Sequence, residues 1–255
     1  MRRALPWGAV ALAAVIATIA SPRSQTSVGR QIVGHPVRGV VALVAASSPL
    51  NTIYNGQFCG GAVVEAGIVL TAAHCVADRR ASDLDVVVGA DNLCRSAAVD
   101  GIRMRVSSIT IHPKYDRDRG AYDLARLSLD GWAVSGAVRN TSTAARPGGG
   151  VFALGWGGTN VGGRTSCRLT QKPLRLETSE CQARAATAGR QFDEQTMLCA
   201  VPASVPSDDT CIGDSGGPVI AGEDLDEGPV IGIVSWGRDC GTGVPGVYAK
   251  PLEGW

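Results

Sequence analysis

Apolar residues in this chain gather in short runs broken by glycine, proline and asparagine, and long helical periodicity is largely missing. The runs are Val40 to Ala45, Gly61 to Leu70, Leu84 to Gly89, Arg103 to Ile111, Leu124 to Leu129, Gly150 to Trp156, Pro218 to Ala221 and Val230 to Trp236. Runs of this length between turn-forming connectors predict the strands of barrels or sandwiches. With 33 glycines and 13 prolines in 255 residues, the chain reads as turn-rich and all-β, with apolar content for one large core or two modest ones. Ser179 to Gly189 is the exception and predicts a short helix. Arg139 to Gly150 is rich in Arg, Ser, Thr, Gly and Pro, the composition of a linker between two halves.

The first residues read as an export signal. Met1-Arg2-Arg3 carries positive charge, Gly8 to Ala20 is an apolar run, and Thr18-Ile19-Ala20 offers small residues before a cut after Ala20. The run is about 13 residues, short of the ~20 needed to span a bilayer, so cleavage is expected rather than anchoring. The expected division is a signal peptide over 1–20, a short propeptide over 21–31 and one domain over 32–255. Arg2, Arg3, Arg23 and Arg30 lie in the leader with no acid, so its loss takes the formal charge from +1 to about −3. That balance gives no reason to expect nucleic-acid binding. Eight cysteines in an exported chain point to disulfides, but the even count alone allows many connectivities. A thiolate metal site is disfavoured, since no Cys-x-x-Cys pair occurs.

The chemistry concentrates in Gly213-Asp214-Ser215-Gly216-Gly217-Pro218. A serine hydroxyl is a weak nucleophile until a base takes its proton and something stabilises the oxyanion it creates. Glycines beside Ser215 allow the backbone angles that turn the amides of Gly213 and Ser215 into one small cavity. Upstream stand Thr71-Ala72-Ala73-His74-Cys75 and Tyr122-Asp123-Leu124-Ala125. The order is His, Asp, Ser. Other serine hydrolases place the same three roles in different chain orders.

In that order and with those neighbours, the chain resembles a trypsin-like serine protease of the chymotrypsin family from about Ile32 almost to its end. The resemblance implies two antiparallel β-barrels, the first over about 32–138 and the second over about 150–255, with the active site in the cleft between them. It implies a secreted, monomeric endopeptidase that needs no cofactor or metal. Its partners would be protein or peptide substrates and protein inhibitors, with no nucleic acid and no stable membrane insertion after signal removal. His74, Asp123 and Ser215 would be catalytic, and the Gly213 and Ser215 amides the oxyanion hole. Asp209, six residues before the serine, would sit at the base of the specificity pocket and pair with a substrate Arg or Lys. Gly237 and Gly246 would leave that pocket open, and Ser235-Trp236-Gly237 would pair with the substrate backbone. The implied disulfides are Cys59–Cys75, Cys181–Cys199 and Cys211–Cys240. Cys94 and Cys167 are then paired as the two that remain, in loops expected near one rim.

The chain also departs from the family. Ile32-Val33-Gly34 resembles the terminus whose freed amine meets the aspartate before the serine, here Asp214, yet Gln31 precedes it and Arg30 stands one residue early. His35 replaces a usual glycine, Ile212 stands at the pocket mouth in place of a polar residue, and Arg238-Asp239 replaces small rim residues. The sequence ends at Trp255, about ten residues before the family's usual close, so a truncated C-terminal helix is expected. The alternative function is a noncatalytic protease-like binding protein. An esterase is disfavoured, because there is no Gly-x-Ser-x-Gly elbow in an alternating β/α context.

Overall fold

Thirteen strands, three short α-helices and two 3-10 turns make up the regular structure of a computed structural model that describes residues 31–51, 53–95, 101–132, 139, 141–142, 150–158, 165–177, 179–187, 189–237, 240–252 and 255. The expected signal peptide, nearly all of the propeptide and the Arg238-Asp239 rim lie outside the described residues. After β1 (Gln31–Ile32), the first half contributes β2 (Val40–Ala45), β3 (Gln57–Glu65), β4 (Ile68–Thr71), β5 (Leu84–Val88), β6 (Ile102–Ile111) and β7 (Ala125–Leu129). They close as an antiparallel barrel in the order β2-β3-β4-β7-β6-β5. The second half contributes β8 (Val151–Gly155), β9 (Thr170–Leu176), β10 (Met197–Pro202), β11 (Pro218–Ala221), β12 (Val230–Trp236) and β13 (Gly246–Ala249). Their order is β9-β10-β13-β12-β11-β8, and the β8–β9 pairing closes this second ring. Strand β1 is appended to its outside, with Ile32 opposite Thr170.

Strand β2 shows how the two barrels share one interior. Side chains alternate across a strand. Accordingly Val41 and Leu43 face the core of the first barrel, with Val69, Leu84 and Leu127. Val40, Ala42 and Val44 face the other way, onto Leu154, Trp156, Leu169 and Ile220 of the second half. Both faces of β2 are therefore covered, which is why it reads as an unbroken apolar run. The short helices are α1 (Ile53–Gly56), α2 (Ala73–Val76) and α3 (Ser179–Thr187), the last falling within the Ser179 to Gly189 helix expected from the sequence.

Two expectations need correction. Gly61 to Leu70 is not one strand but parts of β3 and β4, because Gly67 adopts φ +76° and turns the chain back between Glu65 and Ile68. Strands β9 and β10 were absent from the expected set. In β9, Lys172 occupies the inward row with Thr170 and Leu174, and Pro173 interrupts the run, so the apolar signal is erased although the position is interior.

The halves are strapped together at one rim. The structure joins Cys94 to Cys167, and beside this bridge Leu93 N–H donates to Cys167 C=O and Leu169 N–H donates to Asp91 C=O. Arg168 also pairs with Asp91 at 3.1 Å. A bridge closing 73 residues of sequence removes much chain entropy from the unfolded state. Cys94→Ser with Cys167→Ser is expected to lower unfolding free energy by about 3–4 kcal/mol in denaturant titration. Retention of full stability would mean that the flanking strap carries the rim unaided.

Candidate active site

The three residues that the sequence singles out as catalytic lie on three short segments. His74 lies in α2, which the Cys59–Cys75 disulfide ties to β3. Asp123 lies just before β7, after Tyr122, which is held at φ +51°. That angle is costly for a bulky residue, and it is the one positive φ outside glycine among the described residues. Ser215 follows Gly213, at φ +96°, and precedes Gly216, at φ +77°. A Cβ on Gly216 would lie 2.3 Å from Thr71 Oγ1 and 2.5 Å from Gly60 C=O, so only glycine fits there. Gly60 N–H donates to Ser215 C=O at 2.7 Å, which pins the serine turn of the second barrel to β3 of the first.

Asp123 is 3% exposed and fully engaged. His74 N–H donates to its Oδ1 at 2.8 Å, His74 Nδ1 lies 2.7 Å from its Oδ2, and the Ser235 hydroxyl donates to Oδ2 at 2.6 Å. Burial alone would push this carboxyl up, but the His74 hydrogen bond and charge together with the Ser235 bond outweigh it and hold Asp123 below its usual range. With Nδ1 fixed on Asp123, the other ring nitrogen is the one left to act as a base. Among the described residues no hydrogen bond closes between His74 Nε2 and Ser215 Oγ. Such contacts are often loose without substrate. Cys75 Sγ is 3.7 Å from His74 Nε2, and Cys59 is close by. Both sulfurs are spent in their disulfide, so this grouping offers no thiolate to a metal.

Beside Ser215 opens a cavity of about 320 Å³ whose lining includes Asp209, Ile212, Trp236, Gly237 and Gly246. Asp209 is 3% exposed, accepting hydrogen bonds from Thr210 N–H at 2.7 Å and Gly241 N–H at 3.4 Å. Burial pushes its carboxyl up to about 6, against the pull of these two amides. A Cβ on Gly246 would lie 2.9 Å from Tyr248 Oη, while one on Gly237 would meet Gly246 Cα at 3.7 Å. Ile212 is exposed at the rim. The structure also joins Cys181 to Cys199 and Cys211 to Cys240, the latter next to the cavity.

Asp214 points away from the cleft into the second barrel. Its Oδ1 accepts from Lys172 Nζ at 2.7 Å and Gly157 N–H at 2.8 Å, and its Oδ2 accepts from Cys211 N–H at 3.0 Å. Ile32 stays in β1, held along β9. Gln57 Nε2 donates to Gly213 C=O at 2.9 Å and Cys59 C=O at 3.1 Å, fixing the peptide next to the expected oxyanion amides. Lys172, Gln57 and the Ser235 side chain at Asp123 were all missed as parts of the site. Lys172 lies in a strand whose apolar signal is erased, and for Gln57 no local sequence signal exists.

The Trypsin family profile matches residues 30–251 of the chain. Trypsin eta of Drosophila erecta is 35% identical over 242 residues, covering 92% of this chain and 88% of its own length. A trypsin of Saccharopolyspora erythraea is 30% identical over 200 residues, covering 76% and 82%. The solved structure of the Vibrio cholerae VesB protease matches with a TM-score of 0.69 at 27% identity over 87% of this chain. This chain covers 63% of that protein's chain, less than two thirds.

Proposed function

Because this chain belongs to the trypsin family of serine endopeptidases, we propose that it is secreted and cleaves extended polypeptides after Arg or Lys through His74, Asp123 and Ser215. In this reading His74 Nε2 takes the Ser215 proton as Oγ attacks the carbonyl carbon, and the Gly213 and Ser215 amides stabilise the resulting oxyanion. Collapse of the tetrahedral intermediate passes the proton from His74 to the leaving amine and leaves an acyl-serine. Water, deprotonated by His74, then attacks the ester and releases the acid. Asp123 fixes the imidazole tautomer and stabilises its protonated form. The substrate would lie along Ser235-Trp236-Gly237 as an added strand.

One observation carries the specificity. Among the described residues Asp209 has no cationic partner, although it is buried at the cavity beside Ser215. Substrate guanidinium or ammonium would supply the missing charge in a desolvated, charge-assisted contact. Secretion is supported by the leader and by four disulfides, which persist in oxidising compartments. Among the described residues no helix is long and apolar enough to cross a membrane. The proposed division remains a signal over 1–20, a propeptide over 21–31 and the protease domain after them.

Fluorophosphonate labelling together with hydrolysis of peptides ending in Arg, Lys, Phe or Ala tests the reading. Labelling at Ser215 with turnover of the Arg and Lys peptides alone is expected, and equal turnover of all four would sink the specificity. Asp209 gives this preference a pH signature. Benzamidine needs the ionised carboxylate, whose fraction falls as pH drops through about 6. Its inhibition constant should therefore rise about tenfold between pH 7 and pH 5. An inhibition constant flat over that range would place the amidine elsewhere.

A further inference from the structure

We infer that Lys172 takes the place of a freed N-terminal ammonium at Asp214, so that the oxyanion amides are set while the chain is still uncut before Ile32. The inference rests on the serine-endopeptidase reading above. Asp214 lies between the two residues whose amides would bind the oxyanion. Its charge must be compensated for the turn to hold, since it is 0% exposed. Lys172 is likewise 0% exposed, and its Nζ reaches three acceptors, Asp214 Oδ1 at 2.7 Å, Thr170 Oγ1 at 2.9 Å and Gly155 C=O at 3.5 Å. An ammonium has three protons to donate, and each has a taker.

The backbone encloses this pair. A Cβ on Gly157 would come within 2.1 Å of Asp214 Oδ2, and one on Gly155 within 2.3 Å of Oδ1. A second ammonium brought to Asp214 Oδ1 would compete with Lys172, which is already buried against it. Ile32, meanwhile, pairs with Thr170, and Val33 N–H donates to Leu169 C=O at 2.9 Å. The main chain through Ile32 is thus stitched along the lysine's own strand while its nitrogen remains an uncharged amide. Gln31 then ceases to be an obstacle. With the cation built into β9, activity does not require a cut at the Gln31–Ile32 bond. Lys172 touches no substrate, so it is a positioning residue that acts through Asp214.

The test uses the full chain with Arg23→Gln and Arg30→Gln, which removes the basic residues just before Ile32, and mass spectrometry to verify that nothing is cut there. Its fluorophosphonate labelling rate is compared with that of a chain freed to begin at Ile32, each with and without Lys172→Met. The uncut parent should label within about tenfold of the freed one. Uncut Lys172→Met, folded by near-ultraviolet circular dichroism, should label at least ~100-fold slower and lose kcat far more than KM on an Arg peptide. Freeing Ile32 in Lys172→Met should restore at least ~10-fold, because a terminal ammonium can then reach the vacated carboxylate.

Labelling of the parent only after Ile32 is freed overturns the inference, and this comparison decides alone if Lys172→Met does not fold. Undiminished labelling of uncut Lys172→Met overturns it too. So does a failure of the freed variant to recover, which would reduce Lys172 to structural support. If neither parent form reacts, the endopeptidase reading falls with it.

Discussion

Ser215→Ala should reduce kcat on an Arg peptide by on the order of 10⁶ while leaving the melting temperature within about a degree. The chemical reason is that, in the proposed mechanism, the acyl intermediate forms on Ser215 Oγ, which the substitution removes. The structural reason is that the turn is held by its backbone. Gly60 N–H on Ser215 C=O, Gly216 N–H on Val234 C=O and Gly217 N–H on Asp214 C=O all survive the substitution. His74→Ala should cost a similar factor, and the double variant little more, because the two groups act as one unit. Asp123→Asn should cost about 10⁴ by favouring the wrong imidazole tautomer at the 2.7 Å contact. Loss of fluorophosphonate labelling in Ser215→Ala, with the fold intact by calorimetry, checks the assignment. Turnover that survives the substitution would remove Ser215 from the chemistry.

What the sequence made legible was chemistry carried by contiguous residues. The histidine, aspartate and serine segments each bring their own turn or cysteine, so each could be read without knowing what lies opposite. Short apolar runs between turn-forming residues likewise located β2, β5, β7 and β12. The turn inside Gly61 to Leu70 was hidden because Gly67 is a single residue in an otherwise apolar run. Lys172 was hidden for a different reason. Its partner stands 42 residues away, and only the β8–β9 closure of the second barrel brings them to 2.7 Å. By side-chain type alone a strand lysine belongs to solvent. Ser235 was read through its backbone, as part of the substrate-binding edge, whereas its hydroxyl sits on Asp123 across 112 residues of sequence.

Asp123, Asp209 and Asp214 are all buried, and they are satisfied in three ways. Asp123 takes a histidine ring and a serine hydroxyl, Asp214 takes an ammonium with two backbone amides, and Asp209 takes backbone amides and, among the described residues, no cation. The first two are closed within the protein. A carboxylate with no cationic partner among the described residues, one of its amides at 3.4 Å, lining a cavity open to solvent, would be compensated by an entering cation. The same incompleteness that makes Asp209 expensive in the free protein would, in the proposed function, make it selective for a cationic substrate side chain.

Asp209→Ser should therefore lower kcat/KM for Arg and Lys peptides by on the order of 10³–10⁴, leaving the fluorophosphonate labelling rate of Ser215 nearly unchanged. The labelling reagent does not fill the pocket, so it reports on the nucleophile alone. Parallel loss of both readouts would make Asp209 a structural residue. Stability supplies an independent check, and its sign follows from the carboxyl being pushed up to about 6 by burial, against an ordinary value of 3.8. Between those limits the folded protein binds more protons than the unfolded chain, so Asp209 weakens folding progressively as pH rises from about 4 to 6. At pH 7 the penalty is on the order of 3 kcal/mol. A neutral serine escapes it. Asp209→Ser should melt several degrees higher than the parent at pH 7, and that advantage should vanish near pH 4, where both residues are neutral in the folded protein.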